Sequence, residues 1–192
     1  NAHPFMDRDK VRAVVLNGQF DSEVESRIQQ YVTQVAGIGL RTENSTELFA
    51  MLWGHYFETA WQENRRFRTI EAQHHLGLEE ISICSQSIDY SIFKALSDKT
   101  IHDIDEMAFI KAVQAMIRSG GQFAVSGISR MSPDRLFVAA HHRPVYIVKR
   151  RDTSDFMVVS DINAALGLFP QTLIRATRMK LFKLMKTYSK KS

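Results

Sequence analysis

The sequence is poor in the residues that commit a chain to several common architectures. It carries one cysteine in 192 residues, Cys84, so no internal disulfide can form and a reducing, cytoplasmic setting is expected. Cys84 follows Ile81, Ser82 and Ile83, an apolar context that favours an inert half-buried thiol over a nucleophile. No window holds eighteen consecutive apolar residues, so no membrane-spanning helix is expected. His3, Asp7, Arg8, Asp9 and Lys10 crowd the first ten positions, which is unlike a secretory signal. No internal repeat or low-complexity block is present.

What is there reads as an ordinary globular chain. Apolar residues make up 44% and charged residues 24%, enough for one domain with a substantial core. The net charge of +4 is unevenly spread: residues 173–192 hold seven bases and no acid, which leaves the rest at −3. Basic charge gathered in a tail, rather than over a folded face, argues against nucleic-acid binding. The tail is expected to be a packed amphipathic helix from Thr172, with Ile174, Leu181, Phe182 and Met185 inward and its basic face solvated. The domain is therefore placed at residues 1–170 and the basic helix or tail at 171–192.

Residues 11–20, VRAVVLNGQF, predict a buried strand that ends in an Asn17-Gly18 turn. Asp21 is a plausible N-cap for a helix that carries Val24, Ile28, Tyr31, Val32 and Val35 and stops at Gly37 and Gly39. A polar cluster at residues 42–47 then caps a long amphipathic helix with Leu48, Phe49, Leu52, Phe57 and Trp61 on its apolar side. Between about 64 and 105 the pattern is least legible. Arg65-Arg66-Phe67-Arg68 predicts a solvated turn, 87–96 a short helix and Asp98-Lys99 another turn. Asp103, Asp105 and Glu106 are taken as acids at the start of a helix through Met107 and Ile117. From Gly120 the period changes to strands at about 122–129, 135–140, 145–148 and 156–160, with a turn at Ser132-Pro133-Asp134, as in an antiparallel meander. Asp161 caps a short helix over 162–168. His74-His75 and His141-His142 are adjacent pairs without a completing ligand set, so no metal and no cofactor is expected.

The order of several segments resembles a known family. These are Asn1-Ala2-His3-Pro4-Phe5, Val14-Val15-Leu16-Asn17-Gly18, Ser45-Thr46-Glu47, Gly121-Gln122-Phe123-Ala124-Val125, residues 133–140 and residues 156–161. Together they resemble the class II glutamine amidotransferase domain, closest to the glutaminase half of glucosamine-6-phosphate synthases (glutamine–fructose-6-phosphate aminotransferases). The resemblance covers about residues 1–20, 42–52 and 107–170.

It implies an α+β fold, the αββα sandwich of N-terminal-nucleophile hydrolases, incomplete at the N-terminus. It also implies hydrolysis of glutamine to glutamate and ammonia in the full-length protein. An N-terminal cysteine would attack the side-chain amide with its own α-amino group as base, and water would then cleave the thioester. By the same resemblance Asn17 and Gly18 form the oxyanion hole, and Ser45, Thr46 and His3 lie at the substrate site. The implied partners are glutamine, the missing N-terminal segment and a synthase or sugar isomerase domain, with neither membrane nor nucleic acid. A sheet short of strands would leave an edge that invites a homodimer.

Three departures accompany the likeness. The family's cysteine precedes its Asn-Ala-His-Pro segment and does not occur in this sequence. Ser45 stands where the family has an aspartate that pairs with the glutamine α-ammonium. Residues 64–105 and those after Pro170 also differ from the family's connections. A degenerate domain that binds a ligand or partner without turnover is the competing expectation.

Overall fold

The computed structural model describes residues 4–20, 22–42, 44–76, 90–149, 156–163, 175–178 and 185–186. Expectations for His3, Asp21 and Cys84, and most of that for 162–168, fall outside them. Among the described residues the protein is mixed α and β, with two antiparallel sheets and a helical layer.

The first sheet has the order β1-β2-β3-β4-β8, from β1 (Phe5–Met6), β2 (Arg12–Gln19), β3 (Gln122–Ser129), β4 (Ser132–His141) and β8 (Met185–Lys186). Side chains alternate across a pleated strand, so one face collects Val14, Leu16, Phe123, Val125, Phe137 and Ala139, all buried. Against that face lie two long helices, α2 (Ser45–Leu76) and α3 (Tyr90–Arg118). They bring Phe49, Leu52, Trp53, Phe109, Val113 and Met116 into one core with the sheet. Trp53 is its centre, with ring centroids 5.0 Å from Phe109 and 4.8 Å from Phe137 in edge-on geometry. Gly127 makes room for it, since a Cβ there would sit 2.7 Å from the indole ring.

Before α2, helix α1 (Ser22–Gln30) relaxes into a π turn over Tyr31–Val35, whose Ala36 N–H reaches back to the Tyr31 carbonyl. Asn44 caps α2: its side-chain oxygen accepts from the Thr46 N–H and its carbonyl from the Leu48 N–H.

The second sheet has the order β6-β5-β7, from β5 (Tyr146–Lys149), β6 (Phe156–Val159) and β7 (Arg175–Arg178). Val145 and Ile147 pack on Ala124 and Val138, the side of the first sheet that faces away from α2 and α3. The expected single meander is thus split. His142 adopts a left-handed φ of 57° two residues before Pro144, and there the chain leaves one sheet and starts the other.

Other expectations are corrected. Arg65-Arg66-Phe67-Arg68 is not a turn, because α2 runs through it to Leu76. Nor is there a turn at Asp98-Lys99, since α3 is one helix from Tyr90. Asp103, Asp105 and Glu106 therefore sit in its middle rather than at its start. The hairpin between β3 and β4 turns at Arg130 and Met131, and Ser132-Pro133-Asp134 already belong to β4. In place of the basic helix from Thr172, residues 175–178 and 185–186 are strands, added to β5 and β4 respectively.

Candidate functional site

Asn17 lies near the end of β2, a position that alternation turns away from the helical layer. The strand does not break there as the Asn-Gly pair predicts. Asn17 pairs with Ala124, Gly18 with Phe123 and Gln19 with Gln122. Gly18 has a packing role: a Cβ would fall 2.7 Å from the Phe123 Cβ and 2.9 Å from the Gln122 carbonyl. Close backbone approach is thus required by the neighbouring strand, whatever else the position does.

The Asn17 side chain is exposed and makes no hydrogen bond among the described residues. It lines a cleft of about 240 Å³ between the two sheets, with Val15 and Ser126 on its own side and Val158, Ser160 and Asp161 across from it. The cleft combines an amide, two hydroxyls and a carboxylate on apolar walls, a composition suited to a small polar ligand. Asp161 holds its loop by accepting the Asn163 N–H at 2.9 Å. Among the described residues two strand edges lie beside it: β1 pairs with β2 only as far as Val14, and β6 pairs only with β5.

Ser45 and Thr46 are the first residues of α2 and do not line the Asn17 cleft. Thr46 is buried; Ser45 is half-buried and donates its hydroxyl to Glu25 Oε1 at 2.7 Å. The neighbouring Glu47 is buried and fully committed. Oε1 accepts from the Arg41 N–H and Nε, and Oε2 from the Thr42 N–H and hydroxyl. Burial pushes this carboxyl up, but the bonds from Thr42 and Arg41 outweigh it and hold the group below its ordinary value. Glu47 therefore ties the loop before α2 to the helix start.

No protein-family model matches the sequence and no curated protein matches it, so the reading rests on the residues and their geometry.

An open groove of about 560 Å³ lies between α1 and the 40–42 loop, lined mainly by Gln, Ser and Thr with no acid. Another, about 290 Å³, lies where Asp7, Asp9, His55 and Glu58 meet beside Gly54. Asp7 is already spent on the Arg12 side chain and on the Val11 and Arg12 N–H groups. Among the described residues no three His, Cys, Asp or Glu side chains gather as metal ligands. The His141 and His142 rings meet edge-on at 4.1 Å; burial first, and then His142, lowers the pKa of His141.

Two features escaped the sequence reading. One is the buried Arg12, held by Asp7 and Asp105 and stacked 4.1 Å from the Phe57 ring centre. Its signal was present, since Arg12 shares the period-two face of Val14 and Leu16 and so had to be buried and paired. The other is Glu25, whose contact with Ser45 spans two helices and has no sequence signature.

Proposed function

We propose that this chain is the glutaminase portion of a class II glutamine amidotransferase, the ammonia-supplying part of an enzyme like glucosamine-6-phosphate synthase, on the αββα sandwich of N-terminal-nucleophile hydrolases. The observation that carries the reading is Asn17: a side-chain amide with no hydrogen bond among the described residues, in an apolar-walled cleft that also holds Ser126, Ser160 and Asp161, within the Val14-Val15-Leu16-Asn17-Gly18 segment. A helical layer on one sheet and a second sheet on its other face supply three of the four layers expected.

In this account a cysteine thiolate, carried on a segment ahead of Asn1 in the full-length protein, attacks the glutamine side-chain amide carbon. The Asn17 amide donates to the oxygen as it gains charge. The α-amino group, having taken the thiol proton, delivers it to the leaving nitrogen as the carbon–nitrogen bond breaks and ammonia leaves; water then hydrolyses the thioester, releasing glutamate and restoring the thiol. The edge of β6, unpaired among the described residues, lies beside the Asn17 cleft and could take up the nucleophile-bearing strand.

One observation favours the second reading, a binding module of the same fold without turnover: Ser45 brings no charge of its own to the α-ammonium. The separating experiment is a glutaminase assay on the native full-length protein. Equimolar glutamate and ammonia support the enzyme. Saturable glutamine binding without products supports the binding module, and neither binding nor turnover at high glutamine overturns both.

A further inference from the structure

We infer that His141 and His142 form a pH-responsive hinge: when both imidazoles are protonated the pair separates, and the second sheet loosens on the first. This hinge does not depend on the amidotransferase reading, although it borders the cleft that holds Asn17.

His141 ends β4, and only His142, Arg143 and Pro144 follow before Val145 is buried against Ala124 and Val138. Val145 anchors the start of the second sheet and also lines the Asn17 cleft. A link this short, with a proline in it, passes on a displacement at its start rather than absorbing it. His142 holds a left-handed φ of 57°, which is costly for a residue with a Cβ and persists only while its surroundings hold it. Its backbone bridges to Phe123, and its ring meets that of His141 edge-on at 4.1 Å. The half-buried His141 ring in turn lies 6.2 Å from that of Phe123, which is wholly buried.

This setting suits neutral rings and not charged ones. Neither imidazole makes a hydrogen bond among the described residues, so no acceptor stands ready for an added proton. From β3 the pair faces Phe123 and its neighbours Gln122 and Ala124, and beyond them on β2 lies Gly18; none of these ionises. The charge that acts on His141 is that of His142, and Arg143 adds another positive group along the chain. Burial first, and then His142, lowers the His141 pKa. The closed arrangement is therefore favoured above the ordinary histidine value of about 6.5 and is lost as pH falls through the lower folded-state value.

The test is hydrogen–deuterium exchange of the whole chain between about pH 7.5 and about pH 5, corrected for the intrinsic pH dependence of exchange. Ordinary carboxylates stay ionised over that range. Protection of the β5 amides, Tyr146–Lys149, should fall roughly 3- to 10-fold, while that of β2 changes by less than about twofold. His55, whose pKa burial also lowers, lies on α2 against Tyr31, so its protonation acts on the helical layer and not on β5. His142→Asn removes the second charge but tolerates the left-handed backbone, and should keep β5 protection constant across the range. In proton NMR the titration midpoint of His141 should lie below the ordinary value and rise in that variant.

Constant β5 protection in the parent, or an equal fall in every strand, would overturn the inference. So would a loss at β5 that persists in His142→Asn. If that variant does not fold, the parent decides: a His141 midpoint below the ordinary value supports the hinge, and one at or above it overturns it.

Discussion

The guanidinium of Arg12 on β2 lies 2.9 Å from the carboxylate of Asp105 on α3, with both side chains almost wholly buried. Asp7 holds the same guanidinium from its other side at 3.0 Å, and the Phe57 ring stacks on it at 4.1 Å. The Trp53 indole N–H donates to the Asp105 carbonyl at 3.1 Å, so the turn after β1 is joined to β2, α2 and α3 at one point. A lone charge could not be kept in such a place, and two carboxylates around one cation leave the cluster dependent on Arg12.

Arg12→Ala should therefore be severe. It strands two buried carboxylates, and removal of one partner of a buried ion pair costs about 3–5 kcal/mol. Asp105→Asn keeps the shape and leaves Asp7 in place, so about 1–3 kcal/mol is expected. Urea unfolding followed by tryptophan fluorescence reports both, since Trp53 is in the cluster. Equal and small losses would show that the pairs contribute little.

Glu47 makes stability depend on pH. Its folded-state pKa lies below the ordinary value, so its contribution is fully present above the unfolded-state value near 4.3 and is lost as pH falls through the folded one. Thermal melts from neutral pH down to about 3 should show a loss of stability concentrated below about 4.3 that is smaller in Glu47→Gln. The variant itself should be less stable at neutral pH, because its amide can accept at only one atom where the carboxylate accepts four hydrogen bonds at two.

Gly18→Ala separates packing from chemistry at the proposed oxyanion position. The added methyl meets the Phe123 Cβ at 2.7 Å, an overpacking expected to cost about 1–3 kcal/mol. The paired change Phe123→Gly, which removes that Cβ, should relieve the clash, so the double variant should be less destabilised than the sum of the singles. Strict additivity in chemical denaturation would place the strain elsewhere.

Legibility in the sequence followed the range of the interactions. The strands at 122–129 and 145–148 were readable because their packing is recorded in side chains one or two positions apart. The helices α2 and α3 were readable over 48–61 and 107–117 but not over their full lengths, since Arg65 to Arg68 and Asp98-Lys99 carry turn-like polarity that helices of this length tolerate. The cap cluster before Leu48 was visible, and Asn44 performs it. Asn17 was visible as a residue in a motif, but its setting in a cleft against Ser160 and Asp161 came only from the fold. The contacts of Arg12 with Asp105 and of Ser45 with Glu25 join residues 93 and 20 positions apart, beyond any local pattern.

The most direct measurement is steady-state glutamine hydrolysis by the full-length protein and its Asn17→Ala variant. The account predicts that kcat falls by roughly 10²–10³ with little change in KM, because the amide acts on the charge that develops during attack. An unchanged kcat would contradict the oxyanion role of Asn17, and no hydrolysis by the parent protein would contradict the amidotransferase reading itself.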